Sequence, residues 1–197
     1  MEFEFMLPTL RKFPFSDPNW IFEPKWDGYR ALCLIDEKSA RFMSRNKKEL
    51  TRRFPELSIV PRTINARSAI LDGEIVALDE KGKPRFENLQ NKVRCAVAYC
   101  AFDCLMLNGK DLRSEPLLVR KNALKGIIKK SEHMRFTEHV VGEGKQLFVR
   151  VERLGLEGIV AKRGDSLYVG GRTKDWLKIK TRTGIEAMRK RSETWGR

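Results

Sequence analysis

The chain has 197 residues, a length that suits one domain or one domain with a short appendage. Its formal charge is +14, from 40 Lys+Arg against 26 Asp+Glu, which points to a polyanionic partner, nucleic acid or nucleotide before an anionic membrane surface. At 41% hydrophobic it can bury a core, but it contains no apolar run long enough to span a bilayer and no secretory signal in Met1-Glu2-Phe3-Glu4-Phe5.

Residues 1–19 read as an irregular lead-in, because Pro8, Pro14 and Pro18 block a long helix or a central strand. A first strand begins at residues 20–22 and runs into Glu23-Pro24-Lys25-Trp26-Asp27-Gly28-Tyr29-Arg30. Here a lysine precedes an acid by two residues and an arginine by five. A lysine is a nucleophile only as the neutral amine, a form that cationic neighbours and desolvation favour. Asp27 supplies an acceptor and Arg30 a phosphate-binding fork, and Gly28 permits a tight backbone between them. Taken alone, the same string also suits a strand end with a solvated Lys–Asp pair.

Residues 29–36 and 40–44 alternate as strands around the polar turn Asp36-Glu37-Lys38-Ser39. Residues 44–53 hold the densest early basic cluster, either a solvated loop feeding a helix near 54–60 or a contact to phosphates. A strand over 68–78 carries Leu71-Asp72-Gly73-Glu74-Ile75-Val76, and residues 79–84 turn the chain. A short helix is expected over 86–93. The nearly continuous apolar strand 96–107 carries Phe102-Asp103-Cys104-Leu105 and ends on the turn Asn108-Gly109-Lys110.

Residues 116–130 form an amphipathic helix with Pro116 in its first turn. A strand over 134–141, a helix over 144–154 stopped by Gly155 and a strand over 157–163 follow. That strand begins with Glu157-Gly158-Ile159-Val160-Ala161-Lys162. After a Gly- and Arg-rich loop over 164–173 comes a last strand, 176–181, holding Trp176-Leu177-Lys178-Ile179-Lys180. Lys178 and Lys180 point to one face of it, where two ammonium groups repel unless an anion lies between them. A tail with Arg189-Lys190-Arg191 closes the chain. The four cysteines, Cys33, Cys95, Cys100 and Cys104, form no Cys-x-x-Cys pair and stand apart from His133 and His139, which argues against zinc. Buried free thiols suit a reducing cytoplasm. Mixed strands and helices with many hairpin signals indicate an α+β fold with antiparallel sheets.

In order along the chain, the strings at Lys25, Asp72, Phe102, Glu157 and Lys178 match the motifs of covalent nucleotidyltransferases. From Lys25 to Lys180 the chain resembles the adenylation domain of ATP-dependent DNA ligases, especially the bacterial ligase D type linked to end joining. The resemblance implies two mainly antiparallel β-sheets flanked by helices with the nucleotide in the groove between them, the ATP-grasp-like fold of DNA ligases and mRNA capping enzymes. Residues 1–181 would be the adenylation domain and 182–197 a basic C-terminal tail.

The resemblance also implies roles. Lys25 would attack the α-phosphorus of ATP, pyrophosphate would leave, and AMP would stay on the lysine nitrogen. Glu157 would bind Mg2+, and Glu74 would contact the ribose or assist the metal. Lys178 and Lys180 would meet the α-phosphate and favour the neutral Lys25. Phe102 would stack on adenine, Glu23 would lie beside it, and Arg30 would hold the ribose or phosphate region. Asp27 and Asp103 would orient their neighbours. Arg45 would contact DNA, and Arg172 would make a further phosphate or DNA contact. AMP would then pass to the 5′-phosphate of nicked double-stranded DNA, and the 3′-hydroxyl would seal the strand. The basic surface would hold the duplex by its phosphates without reading sequence. The expected setting is a cytoplasmic, nucleoid-associated monomer away from any membrane, with Ku or other end-joining proteins as partners.

Typical DNA ligases continue past the motif at Lys178 and Lys180 into an OB-fold domain. The stretch after Lys180 is too short for an OB barrel, so the expectation is a piece of a longer chain or a stand-alone core helped by an OB-fold domain in trans. Two other classes compete: an RNA ligase or capping-type nucleotidyltransferase, and a DNA-binding module without full ligation activity. The strings at Phe102 and Glu157 look more like DNA ligase than the first, and Lys25, Glu157, Lys178 and Lys180 argue against the second.

Overall fold

The structure is a computed structural model that describes residues 3–91, 93 and 95–195. Of the residues used above, Met1, Glu2, Lys92 of the helix expected over 86–93, Gly196 and Arg197 lie outside the described ones. In chain order the strands are β1 (Met6–Leu10), β2 (Trp20–Pro24), β3 (Tyr29–Asp36), β4 (Ser39–Ser44), β5 (Ser68–Leu78) and β6 (Ala96–Leu107). They continue with β7 (Lys110–Asp111), β8 (Met134–Phe136), β9 (Val140–Val141), β10 (Gly158–Arg163) and β11 (Gly171–Lys180). The helices are α1 (Phe86–Gln90), α2 (Leu117–Ile127), α3 (Gly144–Arg153) and α4 (Arg182–Trp195). The chain divides into two compact units, each with its own sheet.

The first unit holds Asp27–Thr137, Asp165–Val169 and the first few residues. Its six-stranded sheet has the order β4-β3-β5-β6-β7, with β8 joined in parallel to β6. The central strand β6 is buried along most of its length, which is why its sequence is an apolar run rather than an alternation. Ala31, Cys33, Phe42, Leu57, Leu71, Ile75 and Tyr99 form the core, to which α2 contributes Leu124. Burial pushes the Cys33 thiol up, and those of Cys100 and Cys104 up to about 12, so these free cysteines are inert packing groups. Gly28 leads into β3 where a Cβ would collide with the carbonyl oxygen of Ile75 on β5. A close backbone approach, as well as a tight turn, therefore requires glycine there.

The second unit holds Met6–Trp26, Glu138–Gly164 and the chain from Gly170 on. Its five-stranded sheet has the order β1-β11-β10-β2-β9, antiparallel except for the parallel pair β1 and β11. Helix α3 packs on β10 and β2 over Phe22, Val151, Ile159, Ala161 and Ile179. Among the described residues no helix is long and apolar enough to cross a membrane.

Several local expectations change. The lead-in is not wholly irregular: β1 forms at the sheet edge, where Pro8 is tolerated, and the register shifts just after it. Residues 55–63 are 3-10 rather than α-helical, with Pro55 at the start and Pro61 inside. Pro116 sits at the cap position of α2 rather than within its first turn. The single strand expected over 134–141 is two, β8 pairing with β6 and β9 with β2. Thr137 N–H closes the β8 ladder on the Ala101 carbonyl at 2.8 Å, and the residues after it belong to the other unit. The segment after Thr181 is helical, opened by the Thr181 hydroxyl accepting from Gly184 N–H at 3.2 Å.

Candidate active site

Three adjacent strands of the second unit, β2, β10 and β11, bring the strings at Lys25, Glu157 and Lys178 together. Lys25 N–H donates to the Gly158 carbonyl at 2.8 Å, and Gly158 pairs with Lys180. In the next row Glu23 pairs with Val160 and Val160 with Lys178; beyond it Ile21 pairs with Lys162 and Lys162 with Trp176. Because strand residues two apart share a face, Glu23, Lys25, Lys162, Trp176, Lys178 and Lys180 all lie on one side of this sheet. Gly158 is forced by proximity, since a Cβ there would meet the Ile179 carbonyl oxygen.

Glu157, one residue before that row, ties it together. Its Oε2 lies 2.6 Å from Lys25 Nζ and its Oε1 3.4 Å from Lys180 Nζ. The carboxylate is nearly buried, with 6% of its side chain exposed, against 23% for Lys25 and 14% for Lys180. Its backbone is held too: the Glu157 carbonyl accepts from Thr181 N–H at 3.1 Å and from the Thr181 hydroxyl at 3.2 Å. Gly184 of α4 packs so closely on that carbonyl that a Cβ would overlap it. Desolvation lowers the pKa of Lys178, and the charges of Lys25, Lys180 and Arg172 lower it further, against a smaller opposing pull from Glu157. One anion facing three lysines leaves a surplus of positive charge, the field a phosphate would neutralise.

Deeper on the same face, Glu23 and Lys162 form an ion pair at 2.7 Å, each almost wholly buried. Lys162 Nζ also lies 4.2 Å from the centroid of the Trp176 ring. The Glu23 carboxylate is therefore committed to Lys162, a partner not foreseen from sequence. An ionisable residue ending an otherwise apolar strand run was the available signal.

The first unit groups the other expected residues. Arg30 donates from Nε to Asp72 Oδ1 at 3.1 Å and from Nη2 to Asp72 Oδ2 at 2.7 Å, a two-pronged pair on a fully buried carboxylate. Burial opposes the charge on this guanidinium, and Asp72 more than compensates, so its pKa is raised. Arg30 stands over Phe102 at 5.4 Å and Phe5 at 5.0 Å, and Glu74 is its cross-strand partner. Phe102 is 9% exposed. Asp103 is wholly buried and takes both prongs of the equally buried Arg120 at 2.8 Å each. The next residue, Lys121, donates to the carbonyls of Phe102 at 3.4 Å and Thr137 at 3.1 Å. Two consecutive cations of α2 thus anchor β6 at Phe102 and Asp103.

The structure therefore collects Glu23, Lys25, Glu157, Lys178 and Lys180 in one unit and Arg30, Glu74 and Phe102 in the other. Arg172, within the field of the lysines, is exposed and donates to the Pro8 carbonyl at 2.9 Å. Arg45 is exposed on the turn after β4. Among the described residues no group of three or more His, Cys, Asp or Glu could hold a metal ion by itself. Glu157 alone fits the habit of Mg2+, which takes one or two carboxylates and fills its shell with water and substrate phosphates.

Fold and cluster together define a nucleotidyltransferase domain of the DNA ligase class. The chain belongs to the ATP dependent DNA ligase domain family, whose model matches residues 8–180. It is 32% identical over 185 residues to the multifunctional non-homologous end joining protein LigD of Pseudomonas aeruginosa, covering 90% of this chain and 22% of that protein. Identity to the multifunctional non-homologous end joining DNA repair protein LigD of Mycobacterium tuberculosis is 36% over 164 residues, 82% of this chain and 22% of that one. The solved structure of mycobacterial DNA ligase D complexed with ATP and MES superposes with a TM-score of 0.79 at 33% identity, covering 90% of this chain and 60% of that one. The chain thus spans about a fifth of the length of these LigD relatives.

Proposed function

We propose that the chain is the adenylating core of an ATP-dependent DNA ligase, with Lys25 as the nucleophile. The observation that carries this reading is the Glu157 carboxylate set between Lys25 and Lys180, with Lys178 on the same face. The Lys25 nitrogen, once it has lost its proton, attacks the α-phosphorus of ATP. The bond to pyrophosphate breaks, and AMP remains as a phosphoramidate on Lys25. Lys178 and Lys180 relieve the charge that builds on the α-phosphoryl oxygens. Glu157, with Glu74 as helper, would hold Mg2+, which supplies Lewis-acid relief of phosphoryl charge when bound. Phe102 stacks on adenine, Glu23 borders it, and Arg30 holds the ribose or phosphate region.

Transfer of AMP to the 5′-phosphate of nicked double-stranded DNA, and sealing by the 3′-hydroxyl, complete the reaction. Arg45 and Arg172 hold the duplex through phosphates. The names of the LigD relatives support a setting in end-joining repair; on this reading the protein works in the cytoplasm, with Ku or an OB-fold domain in trans as partners. On this reading residues 1–181 are the adenylation domain.

The test is incubation with magnesium and ATP or GTP labelled at the α-phosphate, followed by a search for an acid-labile protein-bound nucleotide. Label from ATP, lost in Lys25→Ala with DNA affinity kept, is the expected result. No label from either nucleotide overturns the reading, and label from GTP alone replaces it with a capping-type activity.

A further inference from the structure

Residues 165–169 follow β10 in the chain but belong to the first unit, where they run along its surface. Leu167 and Val169 face outward, 47% and 63% exposed, while Tyr168 turns in and is 6% exposed. Apolar burial alone would favour the aliphatic residues inside. The tyrosine hydroxyl supplies the reason for the reversal, because it donates to Asp72 Oδ2 at 2.7 Å. Two backbone anchors hold the segment in place: Tyr168 N–H to the Arg113 carbonyl and Arg120 Nη1 to the Ser166 carbonyl, each at 2.9 Å.

Asp72 Oδ2 also accepts from Arg30 Nη2 at 2.7 Å, and Asp72 Oδ1 from Arg30 Nε at 3.1 Å. A carboxylate can swivel about its last bond, and a two-pronged guanidinium swivels with it. The Tyr168 hydroxyl on one oxygen fixes that plane, and with it the plane of Arg30 above Phe102. We infer that Tyr168 is a positioning residue for the nucleotide site: acting through Asp72, it sets the orientation in which Arg30 meets ATP. The inference rests on the proposed role of Arg30 as a nucleotide contact.

Tyr168→Phe tests it, since the ring and its packing stay and only the hydroxyl goes. Two readouts are needed. The first is the Arg30 Nε–H signal in nitrogen–proton NMR spectra of the whole chain, which reports Arg30 order whether or not the chain is active. The second is the ATP concentration giving half-maximal Lys25 labelling. The expected result is faster solvent exchange of the Arg30 signal and an increase of about tenfold in that concentration, in line with losing a hydrogen bond to a charged group. The maximal labelling rate stays within about twofold, as is usual when a mutation removes only uniform binding. The exposed neighbour Leu167→Ala changes neither readout. If Tyr168→Phe lowers thermal stability but leaves both readouts at wild-type values, the role is merely structural and the inference falls. If the wild-type chain takes no label, the ligase reading falls instead, and the Arg30 signal alone decides the positioning role.

Discussion

Lys25 and Glu157 are 132 positions apart in the chain, yet their side chains meet at 2.6 Å. The contact holds the proposed nucleophile against the carboxylate proposed to bind metal. Glu157→Gln keeps the shape and removes the charge. The expected outcome is a fall of about a hundredfold or more in the single-turnover rate of Lys25 labelling, measured by quenching at fixed times.

Lys178 should leave a signature in stability against pH. Desolvation first, then Lys25, Lys180 and Arg172, lower its folded pKa below the ordinary lysine value of 10.5. Below the folded pKa the group is charged in both states, and the full penalty of holding that charge in the fold is present. Between the folded pKa and 10.5 the unfolded chain binds more protons, so stability rises with pH across this window. Lys178→Met should flatten the rise in urea-unfolding free energies taken across that range.

Arg120 and Asp103 are both fully buried and joined by two hydrogen bonds. Arg120→Ala strands a buried carboxylate and should cost about 3–5 kcal/mol in urea denaturation. Replacing both partners, Arg120→Met with Asp103→Leu, should cost less than Arg120→Ala alone, because no charge is then left unpaired.

Binding to nicked duplex should weaken steeply with salt, as expected when cations displace the counterions of phosphates. Arg45→Ala and Arg172→Ala should each lower the slope of log K against log salt by about one. Fluorescence anisotropy over a salt series measures it, and a slope near zero in the wild type would remove the proposed DNA surface.

Much of the site was legible because its residues sit in short strings that end apolar runs. Glu157 could be assigned to the start of one strand and Lys180 to the end of another, but that they meet follows only from the pairing of Gly158 with Lys180. Asp72 and Lys162 were visible as charges inside apolar strand runs, a sign of buried pairing, but no local pattern names the partner. Tyr168 gave no signal of its own. In sequence it stands in a Gly-rich loop, and its function appears only when the hydroxyl is seen 96 positions away at Asp72.

By itself the sequence determined most of the strands and helices, though not β1, β7, the division at 134–141 or α4, together with the α+β class and the surplus of positive charge, since these depend on local periodicity and composition. It also determined that a lysine, a glutamate and a lysine pair would recur in the order of a nucleotidyltransferase. Only the tertiary structure decided that one apolar stretch at 134–141 would divide between two sheets, and that β1 would pair with β11 from far along the chain. Only it decided that Glu23 would bind Lys162 and Arg30 would bind Asp72. Strand propensity is set by neighbours in the chain, whereas pairing is set by which distant surfaces can be buried together, and among the described residues the buried pairs Glu23–Lys162, Asp72–Arg30 and Asp103–Arg120 each join two different strands or a strand and a helix.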